Sequence, residues 1–145
     1  MSDIRSRAAT AGAGLREWLP VGLRSVVALV VAPAGALKYL DYGSEVAAFA
    51  SYGVPATELV VPAVAVVELV AAIAIALGIA PRIAALALIP VMVAAMVLYA
   101  VVPSNSVVLL GCVGILALGP GKFAVWDPES EGTNGLERLG LSSTE

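Results

Sequence analysis

Residues 83–121 read IAALALIPVMVAAMVLYAVVPSNSVVLLGCVGILALGPG, a stretch without a single charged side chain. A helix of about 20 residues spans the hydrocarbon core of a bilayer, which is roughly 30 Å thick, so this stretch is too long for one crossing. Its middle, at 103–106, reads Pro-Ser-Asn-Ser, a combination typical of turns. We therefore predict two membrane spans here, at about 83–102 and 107–123.

Two more apolar stretches, at about 19–40 and 59–80, predict two further spans. The composition agrees, because 60% of the 145 residues are hydrophobic and 13% are charged, whereas a soluble domain is about 45–50% apolar and about 25% charged. Small domains bury the smallest share of their surface, so a chain this short cannot hide so much apolar area from water. Lipid is its main solvent, which excludes a soluble enzyme, a nucleic-acid-binding protein and a disordered chain.

Four apolar spans predict an all-α integral membrane protein, a four-helix bundle. In lipid every backbone N–H and C=O group needs a partner within the protein, and a helix supplies those partners within one segment. A transmembrane β-barrel would show shorter stretches of alternating polarity. The predicted organisation is a polar N-terminal tail at 1–17, the four-span domain at 18–126 and an acidic C-terminal tail at 127–145.

The positive charges predict the orientation of the bundle, because cytoplasmic loops carry an excess of Lys and Arg. With four crossings the following basic residues all fall on one side: Arg5, Arg7, Arg16, Arg82, Lys122 and Arg138. The opposite side carries Lys38 together with the acidic residues Asp41, Glu45 and Glu58. We therefore expect cytoplasmic N- and C-termini and a multi-pass protein of the plasma (cytoplasmic) membrane.

Glu68 is the most informative side chain, because it lies about ten residues inside the second span, roughly 15 Å deep at about 1.5 Å per residue. A charge at that depth costs about 2.5–3.5 kcal/mol on insertion scales. Three interpretations are open: the carboxyl group is protonated, it pairs with a cation on a neighbouring helix, or it faces a polar cavity that serves a proton, an ion or a quinone head group. The alternative without a functional site is a structural clasp between helices, worth about 1 kcal/mol.

Three further residues complete the candidate intramembrane site. Lys38, near the end of the first span, pairs with Glu68 if its long side chain turns inward and anchors to lipid head groups if it turns outward. Arg24, near the other end of that span, joins a buried network or anchors a phosphate at the cytoplasmic interface. Tyr99, placed inside the third span, is a candidate donor of a hydrogen bond to a ligand. Tyr52 and the other aromatic residues near interfaces are typical of an aromatic belt.

The amino-acid composition excludes several kinds of metal and cofactor site. The chain has no His and one cysteine, Cys112, so it lacks the residues for a disulfide, a CxxC dithiol or a Cys/His zinc site. Of the residue types that ligate haem iron, the chain contains Met, Cys and Tyr but no His. We expect no haem, no metal and no covalently bound cofactor. Electron transfer would need a carrier outside this chain, and quinone is the cofactor left open.

In order and spacing the sequence resembles the DoxX family of four-helix membrane proteins over about residues 23–127. The residues that carry the resemblance are Arg24, Gly35-Ala36-Leu37-Lys38, Phe49-Ala50-Ser51-Tyr52-Gly53-Val54-Pro55, Glu68, Leu77-Gly78-Ile79-Ala80-Pro81-Arg82, Gly119-Pro120-Gly121-Lys122 and Asp127. One departure lies near the end, where Ala124 takes the position of the family's usual Ser and Trp126 is an additional residue.

The resemblance implies a place in a redox assembly. Relatives are linked to thiosulfate:quinone oxidoreductase and to membrane-bound oxidoreductase assemblies that handle oxidative stress or thiol balance. The chain would be the quinone-interacting or anchoring subunit in the lipid bilayer, with a soluble oxidoreductase or further copies of itself as partners and no nucleic acid. Whether the chain is itself an enzyme stays open, and the alternatives are a non-catalytic scaffold or a small-solute permease with Glu68 as a structural clasp.

Overall fold

The computed structural model describes the backbone of residues 2–119, 121 and 124–126 and the side chains of residues 18–119, 121 and 124–126. Within these ranges the chain forms no strand and the following five helices: α1 at Ser2–Leu40, α2 at Tyr42–Ser51, α3 at Thr57–Leu77, α4 at Pro81–Leu98 and α5 at Pro103–Leu118. The all-α prediction is confirmed. The predicted acidic tail at 127–145 lies outside the described residues.

Three helices are long and apolar enough to cross a membrane: the part of α1 at Trp18–Leu40, α3 and α4. They coincide with the first three predicted spans. α1 begins at Ser2, so its helical backbone also includes most of the predicted N-terminal tail. The fourth predicted span corresponds to α5, which has 16 residues and is about 24 Å long at about 1.5 Å per residue, shorter than the roughly 30 Å hydrocarbon core.

Three helices end earlier than the predicted spans. α3 ends at Leu77 rather than at 80, because Gly78 has φ +72°, which is outside the helical region. α4 ends at Leu98 rather than at 102. Val102 is extended with φ −95° and ψ 148°, because Pro103 disfavours helical backbone at the residue before it. α5 ends at Leu118 rather than at 123, because Gly119 has φ +83°, a conformation outside the helical region that glycine adopts at little cost. The proline and the two glycines are thus stronger boundaries than the apolar pattern around them.

The four longer helices, α1, α3, α4 and α5, pack into a ring in which each contacts its two neighbours. Their inward faces share one cluster of buried apolar side chains, to which Val27, Ile75, Leu88 and Ile115 each contribute with 0% exposure. Their outward faces are apolar as well, and Leu29, for example, is 74% exposed. Helices that are apolar all round are typical of membrane spans, so the exposed faces are suited to lipid.

The helix α2 is not anticipated by the sequence analysis, which treats the chain between the first two spans as an outer loop. It packs on α1 and α3, and none of its residues is buried. The hydroxyl group of Tyr42 donates a hydrogen bond to the carbonyl oxygen of Glu58 at 2.8 Å, which ties the first residue of α2 to the start of α3. α2 therefore lies across one end of the ring, which we call the α2 end.

The opposite end of the ring is closed around the turn between α3 and α4. Arg24 donates hydrogen bonds from Nε to the carbonyl oxygen of Ile75 at 2.8 Å and from Nη2 to that of Ala76 at 3.0 Å. These carbonyl groups belong to the last turn of α3, where carbonyl groups lack their usual helical donors and where the helix dipole favours a cation. The carbonyl oxygen of Ile75 also accepts a hydrogen bond from the N–H of Gly78 at 3.2 Å. Arg24 on α1 therefore caps α3.

Gly78, directly after α3, is enclosed by this arrangement. Its φ is +72°, and a Cβ atom built there would lie 2.8 Å from Cα of Ala124 and against the guanidinium of Arg24. Trp126 pairs with the same turn, since its N–H donates to the carbonyl oxygen of Gly78 at 3.3 Å and its own carbonyl oxygen accepts from the N–H of Ala80 at 2.8 Å. The chain after α5 thus packs against the turn between α3 and α4 and forms hydrogen bonds with it.

We expect Gly78→Ala to destabilise the protein more than Gly53→Ala does. Both positions have a left-handed φ, +72° and +78°, but Gly53 has open space within 4 Å. Both variants incur the left-handed penalty of about 1–2 kcal/mol, and only Gly78→Ala adds a steric clash, which costs about 1 kcal/mol or more. Unfolding titrations in mixed micelles measure both losses, and equal losses would contradict the enclosure of Gly78.

Candidate functional site

An ion pair lies inside the bundle near the middle of α3. Nζ of Lys38 donates a hydrogen bond to Oε2 of Glu68 at 2.9 Å. The side chain of Glu68 is 4% exposed and that of Lys38 is 13% exposed. Nζ of Lys38 also lies 3.5 Å from the carbonyl oxygen of Ala34. The structure therefore brings Glu68 together with a cation on a neighbouring helix, and Lys38 turns inward rather than toward lipid head groups.

Gly35 determines how closely α1 and α3 approach beside this ion pair. A Cβ atom at position 35 would lie 3.0 Å from Cγ of Leu69 and 3.3 Å from the carbonyl oxygen of Ala65. Small residues at helix contacts in membranes allow this close backbone approach. Lys38 is three residues further along α1 and so lies on the same helix face as Gly35, which directs its side chain at α3.

A cavity of about 500 Å³ opens beside the ion pair. Most of its wall is apolar, with Val31 of α1, Val64 of α3 and Met92 of α4 among the lining side chains. The polar lining residues are Lys38, Glu45, Tyr52, Glu68, Tyr99, Ser104 and Asn105. Small-molecule sites usually have this composition, with volumes of about 300–1,000 Å³. Among the described residues, no group of three His, Cys, Asp or Glu side chains is placed to hold a metal ion.

Two tyrosines meet at the α2 end of the cavity. Tyr52 follows α2 and Tyr99 follows α4, and their ring centroids lie 5.0 Å apart with the planes tilted by 55°, which is a favourable aromatic geometry. Partial burial raises the pKa of Tyr52, and the nearby Tyr99 and Glu45 raise it further. The Tyr52 hydroxyl group therefore stays protonated at neutral pH and remains a hydrogen-bond donor.

Part of this lining is not evident from the sequence. By sequence alone, Tyr52 is typical of an aromatic belt, Glu45 belongs to the charges on the outer side, and Ser104 and Asn105 are typical of a turn. These residues become neighbours of the cavity because α2 folds back over the ring and because α5 begins at the same end. The available sequence signal, polar residues clustered between apolar spans, does not distinguish a cavity lining from an ordinary loop.

The structure does not bring the other two predicted site residues into contact with the ion pair. The sequence predicts Tyr99 inside the third span, but α4 ends at Leu98, so Tyr99 is 58% exposed at the helix end and lines the cavity from there. Arg24 is 4% exposed and lies about 20 Å from Lys38 along α1 at about 1.5 Å per residue. It therefore belongs to the closed end of the bundle and not to the Lys38–Glu68 site.

Fold and site together define a multi-pass α-helical membrane protein with an ion pair and an amphipathic cavity between its helices. The family model of DoxX matches residues 19–101, more than half of the chain. The protein belongs to the DoxX family. The match covers Arg24, Lys38, Glu68 and Tyr99. No curated protein and no solved structure matches this sequence.

We expect that breaking the ion pair destabilises the protein more than removing it does. Lys38→Met leaves a carboxylate without its cation, and Glu68→Leu leaves an ammonium group without its anion, so each should lower the free energy of unfolding by about 3 kcal/mol. The double variant carries neither charge and should cost clearly less than the sum of the single changes. Unfolding titrations of all four proteins in mixed micelles complete the cycle.

The control for this cycle is Glu58→Gln, because Glu58 is an exposed carboxylate at the start of the same helix. It should change the free energy of unfolding by less than about 0.5 kcal/mol. Strict additivity of the Lys38 and Glu68 changes would contradict a stabilising contact between the two side chains.

Proposed function

We propose that this protein is the quinone-interacting membrane subunit of an oxidoreductase assembly. The observation that carries the proposal is the cavity of about 500 Å³, which combines apolar walls with the buried Lys38–Glu68 pair. A quinone has complementary chemistry, namely two carbonyl acceptors on a ring and an apolar tail. The resemblance to DoxX proteins, whose relatives include quinone-linked enzymes, supports the same assignment.

The side chains of the cavity fit a quinone head group. Nζ of Lys38 and the hydroxyl groups of Tyr52 and Tyr99 are donors for carbonyl oxygens, and the carboxylate of Glu68 is an acceptor. When bound, a quinone supplies two-electron, two-proton redox chemistry, and its electrons would come from a partner outside this chain. Glu68 would hold or pass a proton at its carboxylate, Lys38 would stabilise the ionised carboxylate, and the apolar walls would limit access of water.

We further propose that α5 also crosses the plasma membrane, so that the bundle has four crossings and cytoplasmic termini. Arg24 and Arg82 lie at the closed end of the bundle, whereas Asp41, Glu45 and Glu58 lie at the α2 end. This asymmetry agrees with the excess of basic residues on the cytoplasmic side of membrane proteins. A helix as short as α5 can be accommodated by local thinning of the bilayer at modest cost.

One observation favours a second candidate function, that of a non-catalytic anchor or scaffold. The ion pair is complete in itself, since Lys38 and Glu68 contact each other directly at 2.9 Å. Such a pair can serve only to fasten α1 to α3, as polar contacts between membrane helices commonly do. A soluble oxidoreductase or a second copy of the chain would then bind to another surface.

Titration with a short-tailed quinone analogue such as decylubiquinone tests the first candidate. We expect saturable binding to the wild-type protein in nanodiscs and about tenfold weaker binding to Glu68→Gln, which corresponds to about 1.4 kcal/mol. Ala95→Phe fills the cavity without changing a charge and should abolish binding. Ala87→Phe, at an exposed position outside the cavity lining of the same helix, should bind as the wild type does.

The outcome separates the two candidates. Absence of saturable binding to the folded wild-type protein would remove the quinone proposal. If Glu68→Gln then lowers only the thermal stability, the scaffold candidate is the one supported. Equal affinity of Ala95→Phe and the wild type would place any bound quinone outside this cavity.

The scaffold candidate predicts that the acidic tail holds a soluble partner. Residues 128–145 contain four carboxylate side chains and one arginine, and they lie outside the described residues. We expect that deletion of 128–145 releases a soluble protein that co-purifies with the full chain from native membranes. An unchanged set of co-purifying proteins, seen by mass spectrometry, would contradict this version.

A further inference from the structure

The polar lining of the cavity lies on one side of the ion pair. Glu45 lies within α2 and Tyr52 directly follows it, Tyr99 follows α4, and Ser104 and Asn105 lie in the first turn of α5. All five residues therefore belong to the α2 end of the bundle. These polar side chains and the volume of about 500 Å³ give this part of the cavity room and partners for water, so the cavity connects the level of Glu68 with this end.

Between Glu68 and Arg24, the described residues that face the interior form a cluster of buried apolar side chains. Ala72 and Ile75 follow Glu68 on the inward face of α3 and are 1% and 0% exposed. Leu88 of α4 and Ile115 of α5 join them in the same buried cluster. Closely packed apolar space of this kind excludes water. The interior therefore has a cavity on the α2 side of Glu68 and close packing on the other side.

α2 covers the mouth of the cavity with few contacts. It packs on α1 and α3 but not on α4 or α5, and none of its residues is buried. On the side of α4 the contact across the mouth is the ring pair of Tyr52 and Tyr99, with centroids 5.0 Å apart. Segments with few buried contacts open at low free energy, so the edge of α2 next to this ring pair is the easiest part of the cover to open.

We propose that water and protons reach Glu68 only from the α2 end, and that the Tyr52–Tyr99 ring pair gates this route. This route rests on the proposed function and adds to it, because protons exchanged by a bound quinone head group would come from the aqueous phase at the α2 end. In the proposed orientation that phase is the extracytoplasmic one. The Lys38–Glu68 pair is then the inner terminus of a one-sided half-channel.

Cysteine scanning along α3 tests the route in the full chain. In a Cys112→Ala background, cysteines are placed at Val60, Val64 and Ala72 and treated with a charged, membrane-impermeant methanethiosulfonate. The helix rises by about 6 Å for every four residues, so Val64 and Ala72 differ in depth by about 12 Å. Val60 and Val64 line the cavity, Ala72 is 1% exposed, and all three variants keep the ion pair.

We expect Val64→Cys to be modified at least tenfold faster than Ala72→Cys, and only when the reagent is added on the side of α2. Vesicles of the two orientations separate the sides. Modification of Val64→Cys at the rate of Ala72→Cys, or modification of either from the side of Arg24, would overturn the one-sided route.

The gate is tested by adding Tyr52→Ala to Val64→Cys. Removal of the ring should raise the modification rate at least threefold, whereas Tyr39→Ala should leave it within twofold. Tyr39 is an exposed tyrosine at the same end that does not line the cavity. Equal rates for the two tyrosine variants would overturn the gate.

Failure of this inference is distinguishable from failure of the proposed function. Saturable quinone binding with a labelling pattern that shows no one-sided route would remove the inference and leave the proposed function standing. The expected labelling pattern without quinone binding would support the half-channel and remove quinone as its ligand.

Discussion

The bundle is organised around one electrostatic requirement, that a carboxylate placed inside the membrane needs a cation within contact distance. Glu68 meets this requirement through Nζ of Lys38 at 2.9 Å. The contact depends on a close approach of α1 and α3, which Gly35 allows because no Cβ atom separates the two backbones. An uncompensated charge would be costly here, so the register of α1 against α3 and the burial of Glu68 depend on each other.

The two ends of the bundle differ in how their polar groups are satisfied. At the closed end, the guanidinium of Arg24 caps the last turn of α3. The backbone of Trp126 forms hydrogen bonds with the backbone of Gly78 and Ala80, so polar groups of the protein bind one another there. At the α2 end, the tyrosines and polar residues surround a cavity instead. The polar groups at the closed end are therefore paired with one another, whereas at the α2 end a cavity remains beside Glu68.

The same ion pair is compatible with a structural and with a chemical role, because the physical requirement is common to both. A paired carboxylate fastens two helices whether or not a ligand is present, and a cavity beside it adds access without changing the pairing. What favours a site over a simple clasp is the combination of the pair with about 500 Å³ of amphipathic space, since protein interiors are otherwise closely packed and a clasp has no need of a cavity beside it.

Membrane location, helical class and the approximate positions of the first three spans were accessible from the sequence, because apolar composition and the length of an apolar stretch are properties of each segment by itself. Glu68 and its partner Lys38 were accessible for the same reason, as charges in or beside apolar segments stand out. The sequence did not reveal α2, the capping role of Arg24, the position of Tyr99 at a helix end, or the roles of Tyr52, Ser104 and Asn105 in the cavity lining. Those depend on which ends of distant segments meet, and only the packing of the helices into a ring decides which polar residues face a shared cavity and which face solvent or lipid.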